Sequence, residues 1–479
     1  MKKSDPEVKD FLKNFQAPSR LQPRDALLGG RVEVFSVFGE ATLEELFDYV
    51  DVTSLYPYVL RISEFPRGAP TVITRDFHPV DGPLLYRGLI KAEFLAPRSL
   101  RIPVLALRHE SRLCFALCRS CLNLRQSHCD HEDPKDRSFI GTYCSPEVEY
   151  ALSRGYKILR YVEVWNFTEC SNDFYSRYID LFMAEKYKSS SFPVGVTTTQ
   201  EKEAYCEKIS RSLGTTITVP DIVPSPCLRT VSKLYLNSMW GKLAEKPDKC
   251  TVEFVTIQQY NRLAWDPLFV VKHCQVINYS MVLVTYGPKA ETVHSNRFSS
   301  VVHVALTTTY GRLHLIRLLE KADSGDSRLY YCDTDSVQFM YKGEHPFKDE
   351  LTGELGALTV EIEEPWRIRK AVFAGCKNYA LLLEDTTGKR KEKCAIRGVT
   401  LDSSAAEILT FEKMEQMVLG IANGNPETPL SISRPHIKRK LGRITTVDQT
   451  KIYQPVLEKS AHRGTDRSLV MVPFGFVEE

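Results

Sequence analysis

The 479-residue sequence has no uninterrupted apolar run near the ~18 residues that a membrane-spanning helix needs, so a soluble chain with no membrane partner is expected. Met1 is followed by Lys2, Lys3, Ser4 and Asp5 with no apolar stretch behind them, and neither a secretory signal nor an amphipathic, acid-poor transit peptide is visible. Internal repeats and low-complexity tracts are absent too. Charge of either sign is barely in excess: 63 Lys and Arg against 60 Asp and Glu leave +3, too little to argue for a nucleic-acid partner from the total. Without an export signal, the 13 cysteines point to reduced thiols or a metal site rather than a disulfide framework. The residues that are present, 43% apolar and 10% aromatic, require a large buried core and exclude disorder. The length suggests roughly two to three subdomains.

The small net charge is unevenly spread. Between Ser431 and Val470 nine basic residues, among them Lys438, Arg439 and Lys440, face three acids, so this stretch carries +6 and the remainder −3. A basic module on a slightly acidic body suits a body that holds cations and a segment that grips a phosphate backbone. A solvated charged face explains the same pattern when nothing else supports binding. Pro, Gly and Ser clusters mark breaks at Ser63–Pro70, Asp76–Pro83, Lys188–Gly195, Pro220–Pro226 and Ala422–Pro429. Periodicity predicts a strand over Leu46–Val52, helices over Cys227–Leu243 and Val301–Lys321, and two short strands around a tight turn within Arg328–Tyr341.

Three segments carry chemistry. In Tyr331-Cys332-Asp333-Thr334-Asp335-Ser336, two short carboxylates share a hairpin tip, where like charges so close call for a cation. An Asp-x-Asp turn alone is weak evidence, because Asp favours turns. Asp51 strengthens it by ending the first strand and opening Asp51-Val52-Thr53-Ser54-Leu55-Tyr56-Pro57. If that strand lies beside the hairpin, Asp51 and Asp335, with the Val52 carbonyl, suit two Mg²⁺ ions ~3.5–4 Å apart, the spacing of two-metal phosphoryl transfer. The third segment is a helix on which Lys233, Asn237 and Trp240 recur at i, i+4 and i+7. Ammonium, amide and aromatic ring then share a face suited to a nucleotide, with Gly241 leaving room for close backbone approach.

Asp-x-x-Ser-Leu-Tyr-Pro, Lys-x-x-x-Asn-Ser-x-aromatic-Gly and Tyr-x-Asp-Thr-Asp-Ser, in this order, resemble motifs A, B and C of family B DNA polymerases. The long interval between the first two resembles the protein-primed branch: organellar, viral and Polinton/Maverick-type mobile-element enzymes. Gly29-Gly30-Arg31, Gly155-Tyr156-Lys157, Val164-Trp165 and Lys377-Asn378-Tyr379 match further family segments. The resemblance implies an α+β right-hand polymerase with an antiparallel palm sheet, helical fingers and a small thumb. Its expected division is 1–105, N-terminal segment and first palm part; 106–154, an insertion with the Cys/His cluster; 155–185, palm; 186–243, fingers; 244–297, a second insertion; 298–380, palm; and 381–479, basic thumb.

Carried onto this sequence, the resemblance makes Asp51 and Asp335 the metal-binding catalytic acids for two Mg²⁺ or Mn²⁺, with Asp333 a neighbouring acid important for geometry and metal entry. Lys233, with Lys186 as a second contact, is expected on the incoming triphosphate. Val52, Ser54, Leu55, Asn237 and Gly241 complete the nucleotide pocket, and Tyr56 and Trp240 frame the nascent base pair, with Tyr56 a steric gate against a ribose 2′-hydroxyl. Gly29, Gly30, Lys377, Tyr379 and the triplet Lys438, Arg439 and Lys440 are the expected DNA contacts. The implied partners are primer-template DNA, dNTPs and a terminal protein whose hydroxyl primes synthesis. Trp240 stands where better-known members have Tyr, and Leu27-Leu28 precede Gly29-Gly30 where an aromatic is usual. No proofreading exonuclease is expected in this chain, since no matching Asp-x-Glu motif precedes Asp51. The compartment is unassigned, with nucleus or viral replication site placed ahead of the mitochondrion.

Cys118, Cys121 and Cys129, with either His128 or His131, resemble a zinc knuckle, and a loop of reduced thiols is the alternative. Two rival functions remain at this stage. One is a decayed polymerase fold that binds DNA without incorporating nucleotides. The other is a reverse transcriptase, whose third motif has adjacent aspartates where Thr334 here separates Asp333 from Asp335.

Overall fold

Alternating apolar residues in Glu45–Val52 and the β-branched and aromatic run of Arg328–Lys342 place both segments in one antiparallel sheet. Its strand order is Val32–Val34, Arg328–Asp333, Ser336–Lys342, Glu45–Val52 and Leu358–Val360. The computed structural model describes residues 19–193, 195–293, 298–440 and 443–478; the side chains of Arg439 and Lys440, both expected DNA contacts, lie outside the described residues. Strand Ser336–Lys342 is buried on both faces except at Lys342, which fits a central strand covered from two sides.

One cover is the helix Val301–Ala322, capped by Ser300 and buried along most of its length. Its Thr307 and Thr308 hydroxyls donate to carbonyls one turn back, so these buried polar groups are satisfied within the helix. That helix shares a core with a second antiparallel sheet, ordered Thr71–Ile73, Lys157–Asn166, Gly88–Leu95 and Phe139–Cys144. The other cover is a third sheet of Phe38–Glu40, Arg367–Gly375, Asn378–Glu384 and Arg390–Ile396, backed by the helix Phe411–Ala422.

Three helices, Ser176–Lys188, Thr199–Leu213 and Pro226–Leu243, fall largely in the segment expected to form the fingers. Beyond them, Thr251–Thr256, Phe269–Val276 and Met281–Pro288 make a three-stranded sheet with the helix Ile257–Trp265 and a small core of its own around Val255, Val282 and Val284. The paired strands Leu430–Lys440 and Arg443–Tyr453 carry the basic stretch. Among the described residues, no helix is long and apolar enough to cross a membrane.

The segment boundaries expected from sequence shift in three places. Phe139–Cys144, placed within the first insertion, is a strand hydrogen-bonded to Gly88–Leu95 and so belongs to the second sheet. The helix that carries Lys186 begins at Ser176, ahead of the boundary expected at 186. Much of 381–479 is not a separate thumb. Arg390–Ile396 completes the third sheet, and Ala461–Val472 returns to the body, where Ser36 bridges Val470. For the strand segments long-range pairing, which Pro and Gly punctuation does not encode, sets the membership.

Candidate active site

Strand register brings the acids together. Ser336 pairs with Asp51, and the Val52 amide donates to the Asp335 carbonyl at 2.7 Å, so the end of one strand lies against the tip of the hairpin. The tip is held from behind: the Thr334 amide donates to the Arg31 carbonyl at 2.7 Å, and Thr334 adopts φ +62°. Gly30 is required here, because a Cβ would sit 2.5 Å from Thr334 Oγ1. The Gly29-Gly30 pair thus packs against the acidic turn. It is fixed there by Arg312, whose guanidinium donates to the carbonyls of Leu28 and Gly29 at 3.0 Å each and to both oxygens of buried Glu147.

Past Asp51 the chain turns through Ser54, at φ +55°, into the helix Leu55–Ile62. That turn presents Ser54, Leu55 and Tyr56 to a cavity of about 690 Å³ with Asp51 and Asp335 on one wall. The opposite wall comes from two packed helices and carries Lys186, Arg229, Lys233 and Asn237. Arg229, Lys233 and Asn237 lie four residues apart and share one face. Tyr56 stacks on Trp240 with ring centroids 5.2 Å apart at 30°. Trp240 thus meets the cavity through Tyr56, and its Nε1 has no hydrogen-bond partner among the described residues.

Electrostatically the walls are complementary and unsatisfied. Burial raises the Asp51 carboxyl to about 7, helped by repulsion from Asp335 and Glu361. Burial and the Asp333 charge raise Asp335 to about 6. Across the cavity, burial together with the charges of Arg229 and Lys233 lowers the Lys186 ammonium. Among the described residues, none of these five groups forms an ion pair with another; Arg229 Nε instead donates to Ser190 Oγ at 3.2 Å. One wall lacks cations and the other lacks anions. A polyphosphate carrying divalent metal supplies both.

The other residues expected from sequence lie around this cavity rather than in it. Asp333 accepts two hydrogen bonds from Lys377 Nζ, at 2.6 and 2.8 Å, outside the cavity lining. Tyr379 is buried among Tyr49, Tyr331 and Phe373, with its hydroxyl 3.5 Å from that of Tyr49. Gly241 is exposed and a Cβ there would meet nothing within 4 Å. Lys438 is exposed on the basic hairpin, away from the cavity lining.

Two charged lining residues, Arg229 and Glu361, were missed by sequence reasoning. Arg229 was visible as one further step of four before Lys233. Glu361 follows a strand whose Thr359 pairs with Asp51, and no local pattern marks it. Away from the cavity, Cys118, Cys121, Cys129 and His131 bring their ligand atoms within 4.8 Å of one another. His131 rather than His128 completes the group; His128 faces solvent beside Asp130.

Comparison with known proteins agrees with the motifs. The family model "DNA polymerase type B, organellar and viral" matches residues 13–192. A probable DNA polymerase of Neurospora intermedia is 22% identical over 450 residues, covering 91% of this chain and 38% of that protein. Phi29 DNA polymerase in complex with primer-template DNA and incoming nucleotide substrates superposes with a TM-score of 0.55 at 16% identity, covering 94% of this chain and 66% of the other. Its binary complex with primer-template DNA gives 0.53 at 17% identity, over 93% of this chain and 65% of that one. This chain therefore spans well under half of the curated relative and about two thirds of the solved polymerase. The matches agree with the resemblance to family B DNA polymerases of the organellar and viral type, and the α+β right-hand fold expected from the motifs is borne out.

Proposed function

On the premise of a family B polymerase fold, we propose that this chain adds deoxynucleotides to a primer 3′-hydroxyl under the direction of a DNA template. The observation that supports this most is the cavity in which Asp51 and Asp335 face Lys186, Arg229 and Lys233 with no ion pair between the walls. Asp51, Asp335 and the Val52 carbonyl are the oxygen donors for two Mg²⁺ or Mn²⁺ ions, a hard-donor set that fits such cations. Ions held by these oxygens would supply Lewis-acid activation of the primer hydroxyl and charge neutralisation at the leaving pyrophosphate.

The chain's own residues do the positioning. Lys233, Lys186 and Arg229 hold the triphosphate oxygens, and Asn237 lies one turn further along the same helix face. Tyr56, backed by Trp240, forms the floor under the sugar and gates against a 2′-hydroxyl. Lys377 pairs with Asp333 and partly offsets the negative charge that Asp333 adds beside the acid pair. The exposed hairpin with Lys438 tracks the primer-template backbone. In the protein-primed mode, the first nucleotide is joined to a terminal-protein hydroxyl placed where the primer end otherwise lies.

Extension of a labelled primer on a DNA template with Mg²⁺ and dNTPs tests this reading. Extension that is lost in Asp335→Asn supports it. No extension above that control leaves only a binding protein, and a preference for an RNA template overturns the assignment.

A further inference from the structure

Three thiols and one imidazole nitrogen converge on a point where hydrogen bonding alone cannot satisfy them. His131 Nδ1 lies 3.4 Å from Cys121 Sγ, 3.6 Å from Cys118 Sγ and 4.0 Å from Cys129 Sγ. One ring nitrogen cannot serve three sulfurs as a single donor or acceptor. Around a tetrahedral Zn²⁺, ligand atoms ~2.0–2.3 Å from the ion stand ~3.5–3.8 Å apart, close to the spacing observed. The surroundings agree. Cys118 and Cys121 are fully buried, and a Cys₃His zinc site carries a net negative charge that a set of neutral thiols lacks. Two guanidiniums stand near to balance it: Arg98 donates to the Cys129 carbonyl, and Arg137 is 7% exposed and within electrostatic range of all three thiols. The Nε atoms of both lack hydrogen-bond partners among the described residues.

The C-terminal tail lies on this cluster. The Phe474 carbonyl accepts from the Leu117 and Cys118 amides at 2.8 and 3.2 Å, and the Phe474 ring is buried against the cysteines. Gly475 approaches so closely that a Cβ would fall 2.4 Å from Cys118 Cβ, and its φ of +91° suits glycine. Upstream, the Met471 amide donates to the Phe35 carbonyl, Lys459 Nζ to the Val32 carbonyl and the Val456 amide to the Ala374 carbonyl. One continuous segment, 456–478, therefore connects the foot of the basic hairpin, at Tyr453, to the Cys/His cluster by way of the strand next to Asp333.

We propose that Cys118, Cys121, Cys129 and His131 hold one Zn²⁺ that clasps the C-terminal tail to the body, and that through the tail the ion sets how the basic hairpin grips nucleic acid. All four protein ligands close the coordination sphere, so the ion is structural and takes no part in nucleotide chemistry. The nucleic-acid half of the proposal rests on the polymerase reading above; the metal and tail half does not.

The test uses the full chain purified without added metal. Elemental analysis should give about one zinc per chain, and Co²⁺ exchanged into the site should show the visible absorption of a tetrahedral thiolate complex. Chelation should speed hydrogen exchange in 456–478 roughly tenfold, with protection restored by Zn²⁺ alone and not by Mg²⁺. Because Cys129→Ser also alters a buried core position, Phe474→Ala provides a second arm with all four ligands intact. It should retain zinc, expose the tail and weaken primer-template binding roughly tenfold, as chelation does. Zinc far below one per chain, or tail exchange unchanged on chelation, would overturn the clasp. A freed tail with unchanged DNA affinity would overturn its link to the hairpin. Failure of primer extension in a zinc-loaded, tail-protected protein would count against the polymerase reading alone.

Discussion

Two sets of buried charge lie within this fold and are treated in opposite ways. Glu147 and Arg312 are both almost fully buried, and every oxygen and nitrogen of the pair is engaged: with each other, with Thr309, and with the carbonyls of Leu28 and Gly29. Asp51 and Asp335, at strand ends of the first sheet, are partly buried and lie close together with no cation in an ion pair among the described residues. A chain that compensates one buried ion pair completely and leaves a neighbouring acid pair bare uses the first for architecture and the second for a ligand. The same holds across the cavity, where Arg229 and Lys233 add to the cost of charging buried Lys186 instead of pairing with the acids opposite.

Substitution should separate the two sets. Asp51→Asn or Asp335→Asn is expected to cut single-turnover nucleotide incorporation by roughly a thousandfold or more while the protein stays folded by circular dichroism. Arg312→Met should do the reverse. Leaving Glu147 buried without its partner costs about 3–5 kcal/mol of stability in denaturant titration, and activity should fall only as folded protein is lost. A folded, stable Arg312→Met protein would erase the distinction. Lys233→Ala is expected to raise the dNTP KM by roughly tenfold to a hundredfold with a smaller change in kcat, measured by steady-state incorporation of one nucleotide.

A smaller effect follows from the raised carboxyl groups. Burial lifts Asp51 to about 7 and Asp335 to about 6 from an ordinary value of 3.8, so between those limits the folded chain holds protons that the unfolded chain has released. Raising the pH from about 4 to about 7 should therefore lower the stability contributed by this pair in the metal-free protein, and acidification should restore it. Asp51→Asn should flatten that slope and raise the melting temperature at pH 8 without divalent metal.

The acid pair was legible in sequence because two local patterns, a strand ending in Asp51 and a two-residue turn carrying Asp335, each predicted a strand end. Only their adjacency had to be assumed, and the Ser336 to Asp51 register supplies it. Lys233 and Asn237 were legible through helical spacing. Arg229 obeys the same spacing and was passed over because the motif begins at Lys233. Glu361 reaches the site through strand pairing across some 310 positions, a relation no window of sequence contains. The pairing of Lys377 with Asp333 was hidden for the same reason, and so was the return of the C-terminal tail to the Cys/His cluster. Between His128 and His131 the spacing left a choice that burial beside Cys118 and Cys121 decides.

The most direct test of the unpaired acid wall is the number of Mn²⁺ ions bound, read by electron paramagnetic resonance on the protein with primer-template and a non-hydrolysable dNTP. About two nucleotide-dependent ions per chain are expected for the unsubstituted protein, with at least one lost in Asp335→Asn. Equal Mn²⁺ binding by the two proteins, or none that depends on the nucleotide, would contradict the assignment of Asp51 and Asp335 as the metal-holding pair.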